Sequence, residues 1–187
     1  MTDLALGVRR VAWGVRVLAV VLGAVLVAVA AQISIPLPGT PVPMTLQPMA
    51  VLLVGGLLGA RLGALSMILY LAMGAAGLPV FTPTVPLVGV ARLLGPTGGY
   101  LLAYPVAAWA VGGVVREGSS VWRVACGVLA GMALIHLGGL AQLAILTGNV
   151  SAAARFGTIP FLLGDLLKLA LLVPVLTKLT PTVRARL

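Results

Sequence analysis

Long apolar stretches with almost no charged residues are the feature that most constrains this chain. A helix needs about 17–25 such residues to cross a bilayer, and six candidates lie at roughly 11–32, 46–60, 62–78, 97–115, 121–147 and 158–179. The apolar runs are continuous rather than alternating, which argues against a transmembrane β-barrel. The sequence therefore predicts an all-α integral membrane protein, in which residues 1–187 form a single domain built as a six-transmembrane-helix bundle.

The composition also favours a membrane protein over a soluble one. Of the residues, 61% are hydrophobic and only 8% are charged, whereas roughly a quarter of the residues of a soluble domain are charged. The net charge of +9 comes from single, scattered basic residues, so binding to nucleic acid is not expected. A basic start before an apolar run is also typical of a signal peptide, but we expect the run ending in "AVAAQ" to be the first transmembrane helix.

The basic residues predict the orientation of the bundle. Loops on the cytoplasmic side of a membrane protein carry an excess of Lys and Arg. If the N-terminus is cytoplasmic, the outer loops hold only Arg92 and Arg155, and Lys168 falls within the last span. The cytoplasmic segments then hold the other nine, which are Arg9, Arg10, Arg16, Arg61, Arg116, Arg123, Lys178, Arg184 and Arg186. Both termini are therefore predicted to be cytoplasmic.

Two charged residues interrupt the last apolar stretch, in the sequence "PFLLGDLLK". Asp165 and Lys168 are three positions apart, so both side chains project from one face of a helix. Charges at membrane depth are costly and usually face the bundle interior or a water-filled cavity. The pair is consistent either with a salt bridge that holds helices together or with a polar ligand site, in which Asp165 accepts N–H donors and Lys168 attracts an anion.

Two proline-rich loops lie on the predicted outer side, at the same end as Asp165. They read "SIPLPGTPVPMTLQ" and "GLPVFTPTVPLVGVARLLGPTGGY". Because proline fixes φ and removes an N–H donor, these loops should be extended and stiff, and we expect them to form a lid or pocket wall. Donors, a cation and aromatic rings in or beside them are candidate ligand contacts, namely Thr45, Gln47, Phe81, Arg92 and Tyr100.

Other motifs predict no chemistry. "GPTGGY" (95–100) lacks the Lys-Ser/Thr ending of a nucleotide-binding loop. His136 has no Cys, Asp or Glu nearby in sequence, so neither a metal site nor a cofactor is expected. With only three acidic residues in the chain, no carboxylate pair for acid–base catalysis is evident. Small residues at helical spacing indicate close helix packing, and Ala24 with Ala28 could instead offer a smooth face to another membrane protein.

Four separated motifs, "PVPMTLQ", "GLPVF", "GPTGGY" and "PFLLGDLLK", resemble the BioY family in order and spacing. The resemblance covers roughly residues 30–175. It implies a biotin-specific S component of an energy-coupling-factor (ECF) transporter in the bacterial cytoplasmic membrane, with a transmembrane coupling (T) component and a pair of cytoplasmic ATPases as partners. By the same resemblance, Asp165, Lys168, Thr45 and Gln47 match ligand-contacting positions, and Ala24 and Ala28 match the face that meets the T component.

Some alternatives stay open at this stage. The same architecture could carry thiamine or riboflavin, the chain could act as a facilitator without ATPases, or it could be a membrane enzyme acting on a lipid-linked substrate. We do not expect the chain to be an enzyme, because it has so few carboxylates. For biotin, the two ureido N–H groups suit Asp165 and the ureido oxygen suits Thr45 or Gln47. The carboxylate suits Lys168 or Arg92, and the apolar part suits Phe81 or Tyr100.

Overall fold

The computed structural model describes the backbone of residues 2–187 and the side chains of residues 13–187. Within this part of the chain, helices account for most of the fold. Its α-helices are α1 (Thr2–Gln32), α2 (Gln47–Ala75), α3 (Val90–Leu94), α4 (Gly98–Val114), α5 (Val121–Thr147), α6 (Val150–Gly157) and α7 (Leu162–Arg184). A short antiparallel pair, β1 (Ser34–Ile35) and β2 (Met44–Thr45), follows α1, and a 3₁₀ turn (Ile159–Phe161) precedes α7.

The helix α2 consists of two arms that fold back on each other at Gly59. Gly59 has φ +84° and ψ 173°, outside the helical region, and glycine adopts a positive φ without steric cost. A Cβ at Gly63 would lie 2.8 Å from the Cα of Gly55, whereas eight residues of a straight helix span about 12 Å. The two predicted spans at 46–60 and 62–78 are therefore antiparallel neighbours joined by a tight turn.

Six crossings result from this arrangement, which confirms the predicted all-α, six-helix class. Four helical segments of the described chain have the length and hydropathy to cross a membrane: Trp13–Gln32, Gln47–Ala75, Val121–Thr147 and Val150–Arg184. The second of these supplies two arms, and the shorter apolar helix Gly98–Val114 supplies the remaining crossing. Helix α4 lies between α2 and α5, and α7 packs against both α2 and α5.

The predicted bounds were wrong at two places. The last span was expected to begin at residue 158, but the chain first forms α6 and the 3₁₀ turn, and α7 starts at Leu162. The side chain of Asn149 accepts a hydrogen bond from the N–H of Ala152 and so caps α6. The second proline-rich loop was expected to be extended throughout, yet it contains α3 at Val90–Leu94.

Hydrogen bonds group the basic residues at one end of the bundle. Arg16 donates to the terminal-residue carbonyl of Leu187 (2.8 Å), and Arg184 donates to the carbonyls of Gly56 (2.7 Å) and Gly112 (3.2 Å). We call this end, marked by Arg16, Gly59, Gly112 and Arg184, the arginine end. The opposite end carries both proline-rich loops and is called the site end. Arg9 and Arg10, which also entered the predicted charge asymmetry, have side chains outside the described residues.

The first helix packs one face on the rest of the bundle and leaves its opposite face exposed. Ala24 is fully buried and belongs to a stripe with Val27 and Ala31 that faces α2, while Ala28 is half-buried. Ala24 is thus covered by the chain itself in this conformation, and the partner face at Ala24 and Ala28 stays a prediction. The large side chains on the opposite face of α1, among them Leu18, Leu22 and Val29, are exposed, as expected for a helix surrounded by lipid.

Candidate ligand-binding site

A cavity at the site end brings together most of the residues predicted for ligand binding. Its volume is about 50 Å³, so its walls lie close together in this conformation. Helices α4, α5 and α7, the 3₁₀ turn, α3 and the ends of the two proline-rich loops all contribute to its wall. Of the predicted residues, those lining it are Thr45, Gln47, Arg92, Tyr100, Asp165 and Lys168.

Asp165 and Lys168 form a buried ion pair in the wall of the cavity. Nζ of Lys168 donates to Oδ1 of Asp165 at 3.0 Å, and each residue is only 7% exposed. The i, i+3 spacing on α7 places both on one helical face, as the sequence predicted. A buried pair of this kind is costly to desolvate and is stable only when the remaining polar atoms also find partners.

His136, from α5, completes the site and was missed from the sequence. Its Nε2 lies 2.6 Å from Oδ2 of Asp165, so the carboxylate contacts a basic group with each oxygen. The interpretation of His136 as a residue without an acidic neighbour was correct only along the sequence. Asp165 is 29 positions away, and the packing of α5 on α7 brings the two together. No local spacing signals such a pair.

Arg92 is held by the backbone of the second proline-rich loop. Its Nη1 donates to the carbonyls of Val85 (2.5 Å) and Leu87 (3.4 Å), and its Nη2 donates to the carbonyl of Thr82 (2.9 Å). The residue is 1% exposed, and this burial lowers the pKa of its guanidinium, which nevertheless stays charged. Among the side chains of residues 13–187, no carboxylate forms an ion pair with it.

Two buried donors of the cavity wall lack hydrogen-bond partners within the described part of the chain. They are Nε of Arg92 and Oγ1 of Thr97, and both residues line the cavity. Thr97 directly precedes α4 and its side chain does not cap the helix. Because an unpaired buried polar group costs about 1–3 kcal/mol, this part of the wall is suited to an acceptor supplied by a ligand. Thr97 was not among the predicted residues.

Gln47 and Thr45 lie where the first proline-rich loop enters α2. The Gln47 amide donates to the hydroxyl of Tyr70 and accepts a hydrogen bond from Oγ1 of Thr45 at 3.3 Å. The hydroxyl of Tyr70 in turn donates to the carbonyl of Val80 at 3.2 Å. This chain of bonds links the first loop to the second, so the two loops that cover the cavity are positioned together.

The two predicted aromatic contacts differ in their placement. Tyr100 lines the cavity, and its hydroxyl donates to the carbonyl of Gly157, which leaves the ring as the part available to a ligand. Phe81 does not line the cavity. Its ring packs edge-on against Tyr70, with centroids 5.4 Å apart, and lies over Gly74. Phe81 thus supports the tyrosine that holds Gln47, and its contact with a ligand stays a prediction.

The charges of the wall indicate the kind of ligand that fits. Arg92 and Lys168 are cations and Asp165 is an anion, so these three side chains together give the wall one net positive charge. Aromatic and aliphatic side chains, such as Tyr104 and Ile135, form much of the remainder. Such a wall suits a small monoanion with an apolar body and a polar, neutral head. Among the described residues no cluster of His, Cys, Asp or Glu could hold a metal ion.

Comparisons with known proteins agree with this description. The model of the BioY family matches residues 6–185. A probable biotin transporter BioY of Pyrococcus horikoshii is 40% identical over 157 residues, which cover 82% of this chain and 89% of that protein. The biotin transporter BioY of Thermotoga maritima is 39% identical over 145 residues, which cover 77% of this chain and 83% of that protein.

A solved structure is also similar. It is the S-component for biotin from an ECF-type ABC transporter, with a TM-score of 0.79 and 26% sequence identity, and the alignment covers 88% of this chain and 89% of that one. The resemblance first suggested by four short motifs thus extends over nearly the whole sequence and over the fold. The chain belongs to the BioY family.

Proposed function

We propose that this chain captures biotin and carries it across the membrane as the substrate-binding S component of an ECF transporter. Family membership and the similarity to a biotin S component support this function. The observation that carries it is the cavity, in which one buried acid and one arginine share a largely apolar wall, and that arginine has no acidic partner among the described side chains. Biotin has the matching parts: two ureido N–H donors, an apolar bicycle and a carboxylate.

We assign the ureido head of biotin to Asp165. An ionised carboxylate has about four lone-pair sites, and two are taken by Lys168 and His136. The remaining sites can accept the two ureido N–H groups. Thr45 and Gln47, which also line the cavity, are in turn the candidates to donate to the ureido oxygen.

We assign the carboxylate of biotin to Arg92 and Thr97. Lys168 already pairs with Asp165 at 3.0 Å, so an anion bound at Lys168 would be repelled by the neighbouring carboxylate. Arg92 has no acidic partner among the described side chains, and of its five N–H donors three bond to loop carbonyls. A ligand carboxylate would satisfy its unpaired Nε and the unpaired hydroxyl of Thr97.

The same charges argue against the other vitamins considered from the sequence. Thiamine carries a permanent positive charge, which a wall with one net positive charge would repel. Riboflavin is neutral at its ring and offers no carboxylate to Arg92. Biotin, a monoanion at neutral pH, compensates the charge of the wall.

We also propose where the chain is located and which proteins it works with. The apolar helices make the chain a multi-pass membrane protein, and we propose the bacterial cytoplasmic membrane with both termini inside, because the arginine end carries the basic side chains. The energy would come from a T component and two cytoplasmic ATPases. Uptake of radiolabelled biotin into a biotin-requiring host tests this: a facilitator would transport without the partner subunits, whereas an S component of this kind transports only with them.

Calorimetric titration with biotin tests the proposal. The purified protein should bind one biotin per chain, and Asp165→Asn should weaken binding by about 1–3 kcal/mol, the cost of impairing a buried hydrogen-bond partner. Glu117→Gln is the matched control, because Glu117 is exposed near the arginine end, and it should bind as the wild type does. Folded wild-type protein that gives no heat with biotin, or an Asp165→Asn variant with unchanged affinity, would contradict the proposal.

A further inference from the structure

The two hydrogen bonds to Asp165 come from different helices. Lys168 lies one turn along α7 and therefore fixes the carboxylate only relative to its own helix. His136 belongs to α5, and within residues 13–187 it is the side chain that ties Asp165 to a neighbouring helix. Its bond is also the shorter of the two, 2.6 Å against 3.0 Å.

Hydrogen-bond accounting fixes which ring nitrogen carries the proton. An ionised carboxylate can only accept hydrogen bonds, so Nε2 of His136 must be the donor to Asp165. The other ring nitrogen, Nδ1, is buried and has no partner among the described residues. A hydrogen on Nδ1 would be a buried donor without an acceptor, which is unfavourable. The geometry thus favours a neutral ring with its hydrogen on Nε2.

The ring has little freedom to leave this position. Tyr100 packs edge-on against it with ring centroids 6.3 Å apart, and Phe161 lies on it at 6.5 Å. The hydroxyl of Tyr100 is itself bonded to the carbonyl of Gly157. The imidazole is therefore positioned by α4 and by the 3₁₀ turn as well as by its own helix.

We infer that His136 is a positioning residue for ligand binding, which holds the Asp165 carboxylate so that its free lone pairs meet the two N–H donors of a cyclic urea. Lys168 fixes one oxygen and His136 the other, so the plane of the carboxylate is set before the ligand arrives. Preorganisation of this kind raises affinity by lowering the ordering cost of binding. The inference rests on the proposed function, since it concerns how the same acid takes up biotin.

Two substitutions of His136 distinguish a role in positioning the Asp165 carboxylate from a role in packing alone. His136→Gln keeps an N–H₂ donor close to the place of Nε2, whereas His136→Leu keeps bulk and removes the donor. Calorimetry should show biotin binding within about threefold of wild type for His136→Gln and weaker by roughly tenfold or more for His136→Leu, as expected for a lost hydrogen bond to an ionised group. A leucine variant that binds like the wild type, or a glutamine variant as weak as the leucine variant, would overturn the inference.

A double-mutant cycle tests that His136 acts through Asp165. In an Asp165→Asn background, His136→Leu should cause little further loss of affinity, because the acceptor that it positions has already been changed. Additive losses in the cycle would overturn the inference. Thermal unfolding of each variant, compared with Asp165→Asn alone, shows whether the variants are folded.

A spectroscopic test needs no ligand and no substitution of His136. The chain contains a single histidine, so ¹⁵N-histidine labelling of protein with a histidine-free tag gives signals from one ring only. The nitrogen shifts should be those of a neutral ring protonated at Nε2, and Asp165→Asn should move the Nε2 signal strongly. Spectra of a ring protonated at Nδ1, or spectra unchanged in Asp165→Asn, would overturn the inference. If the histidine signals are as predicted but the wild type does not bind biotin, the proposed function fails and the hydrogen bond stands.

Discussion

Arg92 and Arg184 lie at opposite ends of the bundle, and the guanidinium group of each donates hydrogen bonds to three backbone carbonyls. Arg92 donates to three carbonyls of the second proline-rich loop, those of Thr82, Val85 and Leu87. Arg184 donates to three carbonyls at the arginine end, those of Gly56, Leu57 and Gly112. Neither forms an ion pair with a carboxylate among the side chains of residues 13–187.

The difference lies in what each arginine leaves unpaired. Arg184 uses Nε and Nη2 on carbonyls close to the break of α2 and to the C-terminus of α4, where helical carbonyls lack partners within their own helix. Within residues 13–187, Arg92 keeps Nε unpaired in the cavity wall. Arg184 therefore closes a structural joint, while Arg92 orders a loop and retains a donor for a ligand. Substitutions should separate stability at one end from affinity at the other.

Arg92→Met should have the largest effect on binding. It removes the unpaired donor and the cation that we assign to the carboxylate of biotin, so biotin affinity should fall by about 1.5–3 kcal/mol, which is roughly 10- to 150-fold. Calorimetry measures this loss, and Arg155→Met, a change of an exposed arginine on α6, is the matched control. An Arg92→Met protein that is folded and retains wild-type affinity would contradict the assignment of the carboxylate.

Arg184→Met should lower stability without weakening biotin binding, the opposite of what Arg92→Met does. The loss of three hydrogen bonds to helix ends should lower the free energy of unfolding by about 1–3 kcal/mol, and biotin affinity should stay unchanged. Thermal unfolding in detergent, together with calorimetry on the folded variant, measures both quantities. A clear loss of affinity with unchanged stability would remove the contrast between the two ends.

Thr97→Val should weaken binding less than Arg92→Met does. Valine has nearly the shape of threonine and lacks only the hydroxyl, so the expected loss is about 0.5–1.5 kcal/mol, the net contribution of one hydrogen bond. Thr177→Val is the control, because that hydroxyl bonds to the carbonyl of Val173 within α7. Tighter binding in Thr97→Val than in the wild type would show that the hydroxyl does not meet the carboxylate.

Lys168→Met should weaken binding but should have the smallest effect on the preference for biotin over biotin amide. Because Lys168 pairs with Asp165 at 3.0 Å, its loss should reduce the affinity for biotin and for biotin amide by similar factors. Competition titration with both ligands measures the ratio. A loss confined to biotin would place the carboxylate at Lys168 instead of Arg92.

The fold was predictable from the sequence where the length of an apolar run agrees with the residues that signal the ends of a helix. The predicted span 121–147 coincides with α5, because Ser120 caps its start through the N–H of Arg123 and Gly148 ends it in the left-handed region. The last span was expected to start at residue 158 but α7 starts at Leu162, because the apolar sequence already begins in the 3₁₀ turn Ile159–Phe161. Hydropathy alone does not distinguish a helix that crosses the membrane from a short one beside it.

The candidate site was predictable only in part. Asp165 and Lys168 stand out because charges in an apolar run are rare, and their pairing follows from local helical spacing. His136 and Thr97 have no such local signal, since their roles depend on which helices are neighbours and on which hydrogen bonds remain unmade. The packing of the Phe81 ring against Tyr70 depends on such tertiary contacts in the same way.

The most direct test of the central claim is a calorimetric cycle with two proteins, wild type and Arg92→Met, and two ligands, biotin and biotin amide. The amide keeps the ureido head and loses the carboxylate charge, so the cycle isolates the contact between Arg92 and that carboxylate. We predict that the wild type binds biotin more tightly than the amide by about tenfold or more, and that Arg92→Met binds the two within about threefold of each other. An equal preference for biotin in both proteins would contradict the account.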